Sequence, residues 1–520
     1  HLFGFIPGYK QHRIEAEDPI NIKAVQIMGD LHDALEAGGY SGHDLERMLV
    51  RVLFCLFAED TGIFERNAFT LFLENHTRDD GSDLGIHLAR FFSVLNTTQQ
   101  NRQGNLPEEL AELPYVNGDL FAETLRFAEF NRDMRNRFIA CTRFDWSRIS
   151  PAVFGSLFQA VMESRERRRI GGHYTSERDI LKVIGPLFLD ELREQFDKAK
   201  SSRATLLRLH ERIASMRLLD PACGCGNFLV VAYREMRRLE LDLLRELHRD
   251  DQRLLDVRAL SRVDVDQMFG IEIQEWPVRI AEVALWLMDH QMNLRLSEAF
   301  GQSYVRLPLK KSPRIEQANA LRIDWAKVLP VASCTHILGN PPFVGAKYQD
   351  NEQREDLDIV ADGVQNAGLL DYVTGWYFKA AKYIKGTKIP VAFVSTNSVT
   401  QGEQVGVLWS ELFDRHDVVI HFGHRTFPWE SEARGKAHVH VVIIGFGVAE
   451  PKQKLLYDYE SNGTDATVLR VSNISPYLVE GPNVAIKNRS KPLSKVPEIG
   501  IGNKPIDDGN YLFTAEEKKE

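Results

Sequence analysis

The segment Leu218-Leu219-Asp220-Pro221-Ala222-Cys223-Gly224-Cys225-Gly226-Asn227-Phe228-Leu229 constrains the fold more than any other part of the chain. An apolar run ending at an acid and a proline, then a turn of small residues, then a new apolar run describe a strand, a glycine-rich turn and a helix start. The alternation continues downstream. Strand-like runs are Arg217–Asp220, Met268–Ile273, Cys334–Gly339, Pro390–Ser395, Val418–Phe422 and Val439–Phe446, and helical runs at 227–248, 276–292, 370–385 and 404–414 lie between most of them. This pattern predicts an α/β fold, a Rossmann-like doubly wound sheet that is mostly parallel and covered on both faces.

The region before it has a different character. From Ile20 to about Ser164 the pattern is helical, with Leu45, Met48, Leu49, Val52, Leu53, Leu56 and Phe57 recurring at three and four along one helix face. Asp44 stands at the start of that run, where the positive end of a helix favours an acid. Further helices are expected at 119–140 and 150–164, with a loop from Asn96 to Glu109. The run Arg165-Glu166-Arg167-Arg168-Arg169 marks a boundary, and after Phe446 the chain turns polar with weak strands. The expected organisation is a helical connector at 1–165, an α/β domain at 166–450, and at 451–520 a linker followed by the start of a further domain. With 43% apolar and 26% charged residues the chain is ordinary for a soluble globular protein. A net charge of −9 means that any nucleic-acid face must be a local patch. Five cysteines form no disulfide framework and no paired CxxC spacing, so a reducing compartment is expected. No run is long and apolar enough to predict a membrane span. The chain begins at His1 and ends in a charged run, which reads as a piece of a longer protein.

Ala222, Gly224 and Gly226 let the backbone turn tightly and approach a ligand, and the start of the next helix at Asn227 and Phe228 offers unpaired N–H groups. The spacing lacks the third glycine of a dinucleotide fingerprint, and no Lys-Ser or Lys-Thr follows, so it is not a Walker loop. Asp220 suits a cationic, phosphate-free ligand better than a pyrophosphate. Glu272, followed by Ile273, closes the second strand, where an acid is placed to accept two ribose hydroxyls. It stands much farther from the glycine turn than the ~20 residues of a minimal dinucleotide unit. The excess reads as a long helix and the charged insert His248–Asp264. At the end of the third strand Asn319, beside Ala320, is the candidate for the edge of an adenine ring, with Asp324 the alternative. Upstream, Gly171-Gly172-His173-Tyr174-Thr175-Ser176 precedes a helical run, Glu177–Leu189. Thr175 or Ser176 can cap that helix, and the same loop could close over the ligand.

A second motif follows another strand: Ile337-Leu338-Gly339-Asn340-Pro341-Pro342-Phe343. In this order the two motifs resemble the cofactor and catalytic loops of gamma-type N6-adenine DNA methyltransferases, over about Gly171 to Phe446. The helical front, Gly368-Leu369-Leu370-Asp371-Tyr372-Val373 and Ile501-Gly502-Asn503-Lys504-Pro505 resemble single-chain type IIG or IIL restriction–modification enzymes and related phage-exclusion methyltransferases. The resemblance implies S-adenosylmethionine as cofactor and double-stranded DNA as partner. His173, Tyr174, Thr175, Asp220, Ala222, Gly224, Gly226, Asn227, Phe228, Glu272, Ile273, Asn319, Ala320 and Asn340 would then bind the cofactor. It also implies a cytoplasmic enzyme of a bacterium or archaeon, with a nuclease before the connector and a target-recognition region after residue 450. One departure is Cys225, where the family's loop usually has Ser.

The chemistry of Asn-Pro-Pro-Phe agrees with that resemblance. An exocyclic amine is a poor nucleophile because its lone pair is delocalised into the ring. An Asn oxygen and a neighbouring carbonyl accepting its two N–H bonds free the lone pair. Pro341 and Pro342 fix φ, so that the carbonyl is aimed, and Phe343 can stack on a base taken out of the duplex. Phe427, or else Trp429, in a loop before the last strand is expected to face Phe343; the alternative is that they merely pack that loop. His421, His424, His438 and His440 match no metal-site spacing, and no metal is assigned. The basic stretches 165–169 and Lys310-Lys311-Ser312-Pro313-Arg314 could contact phosphates or simply be solvated. Three other readings compete: an amino-methyltransferase acting on RNA or protein glutamine, a nuclease, and an idle cofactor-binding scaffold. No strand-borne Asp…Glu-x-Lys nuclease pattern is found, and intact Asn340 and Phe343 oppose the scaffold.

Overall fold

Neighbouring residues of one strand enter different cores. Ile337 packs in one apolar cluster and Leu338 in another, as do Phe393 and Val394. A run that is apolar at every position is therefore buried on both faces. A computed structural model describes residues 19–116, 120–149, 176–249, 260–301, 312–429, 439–459 and 466–486.

Helices α1 (Pro19–Ala37), α2 (His43–Asp60), α3 (Ala68–His76), α4 (Leu84–Leu95) and α5 (Arg132–Thr142) build the N-terminal region. Helix α2 carries Asp44 in its first turn, as expected, but is buried along nearly its whole circumference and not on one face. It is the central helix of the bundle, touching α1, α3 and a non-helical strip at 120–130. That strip corrects the helix expected over 119–140. The buried Arg51 guanidinium donates to the Leu120 and Glu123 carbonyls at 2.7 and 2.8 Å, holding them away from helical bonding. Helicity starts only at Arg132, where the Asn131 side chain accepts the Met134 N–H. The helix expected at 150–164 lies outside the described residues.

The remainder forms one nine-stranded sheet. Its strands are β1 (Leu218–Asp220), β2 (Met268–Glu272), β3 (Arg314–Gln317), β4 (His336–Gly339), β5 (Val391–Thr396), β6 (Val419–Trp429), β7 (Val439–Gly447), β8 (Lys454–Tyr459) and β9 (Ala466–Val471), in the order β3-β2-β1-β4-β5-β7-β6-β8-β9. The first five are parallel, and β7 runs antiparallel to both β5 and β6. Helices α6 (Glu177–Ile184), α7 (Arg203–Ser215), α8 (Asn227–Leu247), α9 (Glu275–Phe300), α10 (Asn351–Val360), α11 (Thr374–Tyr383) and α12 (Gly402–His416) accompany it. The helical run expected to Leu189 changes at Gly185-Pro186 into a π-turn, because proline has no N–H for the regular ladder. The sheet also continues past residue 450, where a linker was expected: β8 pairs with β6 and β9 with β8.

Helix α9 joins the two regions. Its His290 ring donates to the Thr61 carbonyl at 2.9 Å, Gln291 donates to the Ser147 and Ile149 carbonyls, and Glu275 in its first turn pairs with Arg47 of α2 at 2.9 Å. One continuous apolar cluster runs from α2 through α9 to one face of the sheet.

Candidate active site

The strand order reverses between β1 and β4, which are parallel neighbours with Leu219 opposite Ile337. Chains leaving the carboxyl ends of two such strands depart to opposite sides and open a crevice, the usual ligand site of this sheet type. Both sequence motifs sit there, the glycine turn after β1 and Asn340-Pro341-Pro342-Phe343 after β4.

The glycine turn is held at several points. The Cys223 N–H donates to the Ile271 carbonyl at 3.1 Å, the Gly226 N–H to the Cys223 carbonyl at 2.8 Å, and the Trp376 indole to the Pro221 carbonyl at 2.9 Å. Gly226 has φ +83°, and a Cβ there would lie 2.8 Å from Cβ of Ala281. Positive φ and close contact between α8 and α9 both exclude a side chain at this position. Phe228 behind it is core.

Asp220 has no solvent exposure. Its Oδ1 accepts the Ala222 N–H at 3.0 Å, and Oδ2 has no hydrogen-bond partner among the described residues. A Cβ on Gly339 would lie 2.6 Å from that Oδ1, so the glycine before Asn340 leaves room for the carboxyl of the other motif. Burial pushes the Asp220 carboxyl up to about 8, the Ala222 bond opposing and nearby Glu272 adding to the shift. Asn227 Oδ1 is a second buried acceptor without a hydrogen-bond partner among the described residues.

Glu272 lies at the end of β2. Its two oxygens accept the Gly224 and Gln274 N–H groups, each at 3.0 Å, while burial raises its pKa. The acid thus already grips the glycine turn. Ile273, 57% exposed, offers an apolar surface beside it. Asn319 is spoken for locally: its Nδ2 donates to Asp356 at 2.8 Å and its Oδ1 accepts the Leu321 N–H at 2.9 Å. Ala320 is buried, and Asp324 caps the short helix beginning at Trp325. Ser176 caps α6 by accepting the Asp179 N–H, while His173, Tyr174 and Thr175 lie outside the described residues. Two carboxyl groups, one with a buried oxygen that has no hydrogen-bond partner among the described residues, the similarly placed Asn227 oxygen and an exposed apolar side chain fit a cationic, ribose-bearing ligand with an aromatic base.

In the second loop Asn340 and Phe343 are half-buried and Pro341 is buried. Phe343 packs against both cores. Asp371 Oδ1 accepts the Val344 N–H at 3.0 Å, and the Val344 carbonyl accepts from the Tyr372 N–H and from Gln349 Nε2, each at 3.0 Å. Neither Asp371 nor Gln349 was assigned a role from sequence. The Leu370-Asp371-Tyr372 stretch carried a signal through its resemblance alone; Gln349 carried none.

Phe427 and Trp429 do not lie in a loop. They belong to β6 and are 1% and 2% exposed. The Phe427 ring is covered by Tyr459 at 4.7 Å and by the Lys182 ammonium at 4.2 Å, so an open stacking face toward Phe343 is not presented. The strand extends past Phe422 because β7 continues to pair with it, through a bulge between His424 and Phe427. His424 stacks on Tyr457 at 4.0 Å, and His421 bonds the Ala449 carbonyl, burial lowering its pKa to about 4. His438 and Lys310-Lys311 lie outside the described residues, as does the arginine run 165–169. Arg314 donates to the Lys327 carbonyl.

Three family models match the chain: the MmeI DNA-methyltransferase domain over residues 196–458, the MmeI helicase spacer domain over 43–121 and the MmeI target recognition domain over 480–520. "DNA methyltransferase A" of Bacillus subtilis is 40% identical over 519 residues, covering 98% of this chain and 58% of the relative. A putative type II restriction enzyme and methyltransferase of Methanocaldococcus jannaschii is 22% identical over 46% of this chain and 24% of its own length. A solved structure of the type IIL restriction–modification enzyme MmeI in complex with DNA superposes with a TM-score of 0.88 at 53% identity. That match covers 97% of this chain and 67% of the other.

Proposed function

Since the chain belongs to the MmeI DNA-methyltransferase family, we propose that it is the methyl-transferring part of a restriction–modification enzyme acting on the N6 amine of adenine in duplex DNA, with S-adenosylmethionine as methyl donor. The observation that carries this reading is the meeting of the two loops at one crevice, with Gly339 making room for Asp220. The chain spans 58% of its Bacillus subtilis relative, and a nuclease region elsewhere in the full protein is part of the same proposal.

The cofactor supplies a methyl group on a sulfonium. When bound it would offer that methyl to the target amine, whose surplus proton would pass to water. Glu272 would accept the ribose hydroxyls, the Gly224–Asn227 turn would accommodate the methionine part, and the exposed Ile273 side chain would offer an apolar surface to the adenine of the cofactor. Asn340 and a carbonyl held by Pro341 and Pro342 accept the two N–H bonds of the target amine, freeing its lone pair. Phe343 stacks on the extruded base. Positioning supplies most of the acceleration. Mass spectrometry of nucleosides from cells expressing the full-length protein tests the reading: N6-methyladenine is expected, and DNA carrying only another modified base, or none, overturns it.

Two further outcomes follow. Phe343→Ala should lose less activity on a mismatched or unpaired adenine than in perfect duplex. The ring offsets the cost of extrusion, by about 1–3 kcal/mol per stacked base in single-strand binders. Equal losses on both DNAs would assign Phe343 another role. Cofactor binding at pH 7 should also release a proton. With a pKa of about 8, Asp220 is mostly protonated in the free protein, and a cation bound beside it favours the carboxylate. The release should vanish at pH 9.5, where the group is already ionised. Calorimetry in two buffers of different ionisation enthalpy reads it directly; identical heats at pH 7 would show that Asp220 does not titrate on binding.

A further inference from the structure

Residues 371–376 touch both loops of the crevice. The buried Asp371 carboxylate receives the Val344 and Val373 N–H groups on Oδ1, at 3.0 and 3.1 Å, and the Thr396 hydroxyl on Oδ2 at 3.4 Å. Its own N–H donates to Gln404 Oε1 at 3.0 Å. Five residues on, the Trp376 indole holds the Pro221 carbonyl of the glycine turn. On the far side of the Val344 peptide, buried Gln349 donates to the Val344 and Leu370 carbonyls at 3.0 and 2.9 Å. Both polar groups of Val344, one residue after Phe343, are therefore captured. Asp371 and Tyr372 come from a stretch whose only sequence signal was a resemblance, and Gln349 carried none.

We infer that Asp371, with Gln349 opposite, is the positioning residue of the catalytic loop: it sets the height of Asn340-Pro341-Pro342-Phe343 above the crevice through the Val344 peptide. The inference rests on the proposed methyl transfer and deepens it. Asp371 touches neither cofactor nor base in this scheme; it acts through backbone bonds. The reason for a carboxylate is its acceptor capacity. One side chain must satisfy two N–H groups and a hydroxyl arriving from the loop, from its own segment and from the end of β5. Trp376 performs the corresponding service for the glycine turn, so the two loops are held by one short stretch of chain.

The test uses the full-length enzyme, measuring kcat, the KM for DNA, the cofactor Kd and thermal unfolding. Asp371→Ala is expected to lower kcat on the order of 10²-fold, the scale of a misplacement near 1 Å, while the cofactor Kd stays within about twofold of wild type. Asp371→Asn, which keeps an oxygen for both N–H groups, should recover most of that loss. Gln349→Leu should reproduce the kcat defect from the other side of the peptide, which keeps the inference testable if Asp371→Ala does not fold. Trp376→Phe should show the opposite split, weakening cofactor binding more than kcat. A cofactor Kd that rises with Asp371→Ala as much as kcat falls would overturn the inference, as would wild-type kcat in Asp371→Ala or Gln349→Leu. Absence of adenine methylation by the wild-type enzyme would instead remove the reading beneath it.

Discussion

Asn340→Ala in the full-length protein should reduce methyl transfer by at least the 10²–10³-fold typical of losing one preorganised transition-state hydrogen bond, while the cofactor still binds. Asn340 stands after β4, across the crevice from the glycine turn, and in the proposed chemistry its oxygen meets the incoming amine. An amine whose lone pair stays in the ring attacks poorly however well the donor is placed, so the loss should appear in kcat. The fold around it should survive. Val344 remains held by Asp371, Tyr372 and Gln349, and Gly339 remains paired opposite Phe393. Single-turnover methylation with calorimetric cofactor binding on the same preparation makes the measurement. Near-normal turnover would remove Asn340 from the chemistry and the second loop from the active site.

Glu272→Ala should act on the other ligand. Charge-assisted bonds to two ribose hydroxyls are worth about 1.5–3 kcal/mol, or roughly 10- to 150-fold in Kd. The carboxylate has a second duty, accepting the Gly224 N–H. Alanine therefore loses ligand contacts and loosens the turn, and the larger end of that range is expected. Glu272→Gln, which keeps acceptor capacity on one atom only, should fall between. Because burial already disfavours the ionised acid, the glutamine loses less than a fully solvated carboxylate would. Equal affinities for wild type and both variants would place the cofactor elsewhere.

Four strands of the parallel half of the sheet were legible because each is a short apolar run ending at a turn signal, whereas β3, Arg-Ile-Glu-Gln, is mostly polar and lay outside the strand-like runs. β1, β2, β4 and β5 fall within two residues of their expected positions. Two kinds of feature were not legible. One is structure imposed by a distant partner. The non-helical strip at 120–130 has helical composition, yet its Leu120 and Glu123 carbonyls are taken by Arg51, far away in sequence. Likewise β6 runs on to Trp429 because β7 pairs with it, which turns the expected open aromatic at Phe427 into core. The other is support given through the backbone. Asp371 and Gln349 act on a peptide group, and a peptide group leaves no trace in side-chain pattern. The acid and glycine positions of the cofactor turn were visible because glycine and a strand-end carboxylate are themselves the signal. That Glu272 would grip the turn was not, since it depends on β2 running two residues past the level where β1 ends, which brings the acid alongside Gly224.

Helix α9 has a consequence for how such proteins can be recombined. Its first residue follows the cofactor acid by three positions and is tied to Arg47 in the helical front, while its middle receives the carbonyls of Thr61, Ser147 and Ile149. An exchange that swapped one relative's front for another's at a junction near residue 165 would be seamless along the chain and mismatched in space. The recipient would keep an α9 surface shaped for the departed partner, directly behind Glu272. Chimaeras that carry the matching α9 with the front, and so take the crossover beyond residue 300, should inherit a usable cofactor pocket where the shorter graft does not.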